Sequence, residues 1–238
     1  MCNHYSSSGA WRDATGEFAR LKLPVFTDRG RLNSVKEHVY PGRDGEILLV
    51  EDGQLVNAAA HWRFTPPYWR DSLKEWGKHA RPPARPRGAN CNNAKIEGLA
   101  NPKSMFRGGA RCLIPVDAFF EFNTLREKSE PAVEYRLSDP EGRVIWLAGL
   151  CAWAEPSDGR TFTFTMLTKE PGGDTASIKH HRQPVNLRPD QLERWLDPTA
   201  PAAEFKDVSP LGTFKVELGE KRQAERFSTP PAYGTTAQ

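Results

Sequence analysis

The chain has 238 residues, a net charge of +3 and a 38% apolar share, enough to bury a sizeable core in one domain. Its longest apolar run, residues 144–154, falls short of the roughly 18–20 residues that cross a bilayer, and the N-terminus has no apolar signal region. A soluble, cytoplasmic protein is therefore expected. Cys2, Cys91, Cys112 and Cys151 show no paired spacing, which argues against a zinc or disulfide framework.

The N-terminus reads MCNHY. With Met1 removed, Cys2 carries both a free α-amine and a thiol, which titrate near ~8 and ~8.5. Such a 1,2-aminothiol condenses with an aldehyde through its amine and closes through its sulfur into a thiazolidine, a reaction closed to internal cysteines. GEFARL (16–21) is a weak helix candidate, and EILLV (46–50) a strand. HARPPARPRG (79–88) cannot form a regular helix and reads as an extended loop. From Lys78 to Arg111 the basic residues are Lys78, Arg81, Arg85, Arg87, Lys95, Lys103, Arg107 and Arg111, with Glu97 as the sole acid. That surplus fits a polyanion such as nucleic acid, and equally a solvated basic loop.

Further along, RCLIPV (111–116) predicts a strand, and AFFEF within IPVDAFFEFN (114–123) is extended by the same pattern. On it Phe120 and Phe122 share one face and Glu121 takes the other with Phe119. A carboxyl among aromatic rings has a raised pKa suited to acid–base work; a solvated strand face is the competing reading. RVIWLAGLCAW (143–153) predicts a strand buried on both faces, and TFTFTMLT (161–168) one with Phe162, Phe164 and Met166 together. IKHHRQPVNL (178–187) offers a proton shuttle and phosphate clamp, or a polar loop before a helix over RPDQLERWLDP, where Leu192, Trp195 and Leu196 share a face. FKVEL (214–218) alternates as a strand, and the tail 223–238 is expected to be a loose end. The expected fold is α+β: a single domain around a strongly curved, barrel-like, mostly antiparallel sheet with a few flanking helices.

Cys2 with Tyr5, the HWRFTP segment from Trp62 to Pro66, Asn93-Ala94-Lys95 with Glu97, RCLIPVDAFFEF and HHRQP occur in the order and at the separations of the SRAP family, the SOS-response-associated peptidase-like proteins. The chain resembles that family from residue 2 to about residue 218, and a domain over 2–222 is expected. The resemblance implies capture of the open-chain aldehyde of an abasic site in single-stranded DNA as a thiazolidine on Cys2, without metal or cofactor, by a monomer. It implies that Asn93 positions the amine and sugar, that Glu121 is the acid–base, and that His180 handles the sugar ring oxygen and its proton. Lys95 and Arg182 are implied to hold phosphates, Tyr68 and Trp69 to offer base-stacking surfaces, and Trp62 to bind the DNA. His4 stands where the family has an arginine contact to DNA.

The sequence departs from the family at several points. Cys-Gly-Arg becomes Cys2-Asn3-His4, Asn-Ala-Arg becomes Asn93-Ala94-Lys95, Arg-Met-Pro becomes Arg182-Gln183-Pro184, and Trp-Gly-Leu becomes Trp62-Arg63-Phe64. The four presumed catalytic positions are kept, so the chemistry is expected to persist and the DNA grip to differ. Two other readings stay open: an N-terminal-nucleophile cysteine hydrolase and a non-catalytic single-strand binder.

Overall fold

The computed structural model describes residues 2–7, 38–66, 91–153, 162–207 and 209–219, and the backbone of 27–29. The strands, in chain order, are β1 (Tyr5–Ser6), β2 (Thr27–Arg29), β3 (His38–Val39), β4 (Asp44–Glu51), β5 (Gln54–Trp62), β6 (Asn93–Lys95) and β7 (Ala110–Val116). They continue with β8 (Ala118–Phe122), β9 (Glu134–Ser138), β10 (Ile145–Trp153), β11 (Phe162–Lys169), β12 (Gln183–Pro184), β13 (Asn186–Leu187) and β14 (Lys215–Leu218). Two short helices lie between, α1 (Gly173–Ser177) and α2 (Leu192–Leu196). The helix expected at 16–21 and the tail 223–238 lie outside the described residues.

The smaller sheet has the order β14-β9-β8-β1-β3 and is antiparallel throughout. The larger has the order β12-β11-β10-β7-β4-β5-β2, with β13 also on β10 and β6 also on β11. It is mixed, because β2 runs parallel to β5, and β11 runs parallel to β6 and to a short stretch of β5. The α+β class stands, but the expected barrel-like sheet is corrected. The strands divide over two sheets, one antiparallel and one mixed, in place of the single, mostly antiparallel sheet expected.

Strand β10 shows why the sequence pattern misled. Ile145, Leu147 and Cys151 face a core shared with Tyr5, Phe119 and Leu137 of the smaller sheet. Trp146, Ala148, Leu150 and Ala152 face a second core with Leu192, Trp195, Leu196 and Phe205. The larger sheet is thus a middle layer, covered by the smaller sheet on one side and by the 189–205 segment on the other. Burial on both faces was correctly legible; a barrel wall and a middle layer demand the same apolar strand. Phe162, Phe164 and Met166 of β11 all face the first core, as their period-two spacing requires.

The 189–205 segment is anchored by Arg111, one of the basic residues counted as a polyanion footprint. Its guanidinium donates to the main-chain oxygens of Trp195 at 3.0 Å, Asp197 at 2.9 Å and Ala200, and lies 4.6 Å from the centre of the Trp195 ring. The Trp195 and Asp197 carbonyls lie at the C-terminal end of α2, where a cation is a natural cap, and the Ala200 carbonyl lies in the turn beyond it. Arg111→Met should therefore cost about 2 kcal/mol in urea unfolding while leaving single-stranded DNA affinity unchanged. A fall in affinity with unaltered stability would return Arg111 to the DNA surface.

Candidate active site

Residues far apart in the chain meet where β1 enters the smaller sheet. Strand β1 lies between β8 and β3, with Tyr5 opposite both Phe119 and Val39. The fully buried Tyr5 side chain sits against Gly45, where a Cβ would collide with its hydroxyl. The amide of Phe120 donates to the His4 oxygen at 3.0 Å, which brings residues 2–4 alongside the strand that carries Glu121. Asn93 opens β6, opposite Met166 of β11, and its Nδ2 donates to the Cys2 oxygen at 2.7 Å. His180 follows α1, where Lys179 turns the chain in the left-handed region at φ 57°. The Lys179 oxygen accepts from the Leu125 amide at 2.8 Å, and its ammonium pairs with Glu130 at 2.8 Å.

Cys2 is completely buried, its Sγ 3.5 Å from the His4 oxygen. Burial pushes the thiol pKa well up and the charge of Glu121 adds to it, so the sulfur is held as a thiol. Glu121 and His180 are buried too, with Oε2 and Nε2 3.1 Å apart. His180 Nδ1 lies 2.5 Å from the Phe122 oxygen, which only accepts, so Nδ1 carries a hydrogen. The Glu121–His180 contact then holds one proton, written as carboxylic acid and neutral ring or as carboxylate and imidazolium. Burial holds His180 down at about 3, which favours a neutral ring.

A path to solvent leaves from the other side of the ring. Thr124 Oγ1 is 3.3 Å from His180 Nδ1 and 2.8 Å from His181 Nδ1, and both Thr124 and His181 are exposed. Thr124 was missed in the sequence because nothing in a single threonine after a strand marks it as a bridge between two histidines.

The depressed His180 pKa has a consequence for stability. Between about 6.5 and about 3 the unfolded chain binds a proton on His180 that the folded chain does not. Stability contributed by the neutral ring is therefore complete above 6.5 and lost as the pH falls toward 3, by about 1.4 kcal/mol per pH unit at most. Urea melts of wild type and His180→Gln at pH values across this window should show a shallower acid loss in the variant; parallel losses would refute it.

The chain matches the family profile of the SOS response associated peptidase (SRAP) over residues 1–218. It belongs to the SRAP family. Among its curated relatives, the abasic site processing protein YobE of Bacillus subtilis is 31% identical over 202 residues, covering 83% of each chain. The abasic site processing protein HMCES of Gallus gallus is 26% identical over 207 residues, and the match spans 79% of this chain but only 60% of that protein. A crystal structure of a Bordetella bronchiseptica protein superposes with a TM-score of 0.64 at 20% identity, covering 92% of this chain and all of the other. One from Bacteroides thetaiotaomicron gives 0.64 at 18%, over 91% of each. At these identities the two structures share the fold.

The residues expected to grip DNA in this SRAP chain fare unevenly. Lys95 is exposed at the end of β6. Trp62 is corrected to a core residue: it is fully buried, stacked on Phe164 with 5.9 Å between ring centres, and its Nε1 donates to the Asn92 oxygen at 2.7 Å. Arg182 is corrected to a structural clamp. Its guanidinium donates to Glu97 at 2.8 Å, Glu170 at 2.7 Å and the Thr168 oxygen at 2.7 Å, which ties the turn after Asn93 to the segment carrying His180. His4 is also withdrawn from the surface. Its ring is stacked between Phe120 at 3.9 Å and Tyr40 at 4.3 Å, with nitrogens 2.8 Å from His38 Nδ1 and 3.4 Å from Glu134. Tyr68, Trp69 and the basic residues 78–87 lie outside the described residues. Among the described residues no group of three or more His, Cys, Asp or Glu side chains is arranged to hold a metal ion, and no helix is long and apolar enough to cross a membrane.

Proposed function

We propose that this SRAP protein, once Met1 is removed, captures the open-chain aldehyde of an abasic site in single-stranded DNA as a thiazolidine on Cys2. The observation that carries the reading is an uncharged, buried thiol beside a carboxyl–imidazole pair sharing one proton, with the backbone of the same cysteine held by Asn93. The names of its relatives as abasic site processing proteins support the substrate.

In this reading the free amine of Cys2 adds to the aldehyde carbon, and Glu121 protonates the departing hydroxyl, which leaves as water. The thiol then adds to the iminium carbon and returns its proton to Glu121. One aminothiol and one aldehyde give one thiazolidine and one water, and Glu121 ends as it began. If the amine enters as ammonium, its extra proton leaves by His180, Thr124 and His181. A hydrolase would use the thiolate as nucleophile, and the upward shift of the Cys2 pKa disfavours that species.

The test is the intact mass of purified protein before and after incubation with a single-stranded oligonucleotide bearing one abasic site. Protein lacking Met1 should give a protein–DNA mass, less one water, that survives denaturation and high salt. Processed protein that gives no such mass would defeat the proposal and favour the hydrolase or the simple strand binder.

A further inference from the structure

Lys169 ends β11 with 3% of its surface exposed, yet it has no ion pair among the described residues. Its Nζ donates to the main-chain oxygen of Asp207 at 2.5 Å, and two N–H groups remain. A buried cation balanced only by the field of the exposed Asp207 carboxylate, with no ion pair, is unfavourable, and this one lines a cavity of about 280 Å³ on the side of the larger sheet away from the smaller one.

The other walls add donors and little free negative charge. Arg188 lies on the cavity wall and shares only an exposed pair with Asp190, at 3.1 Å. Asn186 uses its Oδ1 to accept from Gln183 at 3.2 Å and Ser209 at 2.8 Å, which leaves its Nδ2 as a donor. Of the acids, Glu204 is held by two bonds from Arg194, at 2.9 and 3.0 Å. Asp207 is exposed and makes no ion pair with Lys169.

We propose that this cavity binds a tetrahedral oxyanion of the phosphate class, with Lys169 as its buried counter-cation and Arg188 and Asn186 as further donors. The site is independent of the Cys2 chemistry. Burial, opposed by the Asp207 carboxylate and helped by Arg188, holds Lys169 down at about 8, against an ordinary 10.5. A bound anion favours the charged lysine, so binding takes up a proton and weakens as the pH rises through 8.

Inorganic sulfate is the probe, because its own charge is constant over the range. Its affinity for the wild-type chain, read from thermal shifts against chloride at equal ionic strength, should fall about tenfold from pH 7 to pH 9. Lys169→Met should abolish the effect. Lys169→Arg, which keeps the charge without titrating, should retain binding and lose the pH dependence, and it stands as the test should the methionine variant not fold. A sulfate response equal in wild type and Lys169→Met, or equal at both pH values in wild type, would overturn the proposal. The anion's source is read with a single-stranded oligonucleotide lacking abasic sites. Competition with sulfate that loses its pH dependence in Lys169→Arg and vanishes in Lys169→Met identifies a backbone phosphate of the strand, and indifference of the oligonucleotide to sulfate identifies a free phosphate compound.

Discussion

Cys2→Ala should abolish the denaturation-resistant protein–DNA species while leaving the fold and the first chemical step in place. Alanine keeps an α-amine after Met1 is removed, so the imine with the abasic aldehyde still forms. It lacks the sulfur that closes the ring, so the imine hydrolyses when the protein is denatured. Adding borohydride during incubation should therefore restore a covalent species for Cys2→Ala, and omitting it should give none. The substitution removes one buried sulfur from the first core, a loss of about 1 kcal/mol. Trapping that fails in a folded Cys2→Ala would mean that the amine is not the first nucleophile. A stable adduct without borohydride would mean that some group other than Cys2 captures the DNA.

Glu121→Gln should slow adduct formation by about 100-fold or more, within the range that general acid–base groups contribute. Glutamine fills the same buried space and its amide can still donate to Nε2 of His180, so the 3.1 Å contact has a substitute. What it cannot do is release a proton to the departing hydroxyl and recover one from the thiol. Oligonucleotide affinity should be unchanged, and stability unchanged or higher, since a neutral amide replaces a titratable group in a dry site. Equal rates of formation and reversal in wild type and Glu121→Gln would remove Glu121 from the chemistry.

The residues that meet at the site were legible one at a time. A cysteine at position 2 has a chemistry that follows from its place in the chain, and AFFEF put Glu121 on the face opposite Phe120 and Phe122 by period alone. The strands at 46–50, 111–116, 143–153, 161–168 and 214–218 were likewise predictable, and each forms close to those bounds. The helix near 189–196 is anchored by Leu192, Trp195 and Leu196, as its spacing required.

The roles of the charged and aromatic side chains were not legible. Arg111, Arg182, Trp62 and His4 have the composition of a DNA surface, yet they cap a helix, clamp two carboxylates, fill a core and stack between two rings. Residue type states what a side chain is able to bind; only its neighbours decide what it does bind, and for Arg111, Trp62 and His4 those neighbours lie 30 to 130 positions away. Thr124 and Lys169 acquire their interest in the same way. Covalent chemistry and strand periodicity are local properties, and the chain carries them alone. Layer order, burial of charge and the sharing of a proton between Glu121 and His180 depend on strand pairings such as Tyr5 with Phe119 and Asn93 with Met166, which bring distant segments into a medium where water no longer competes.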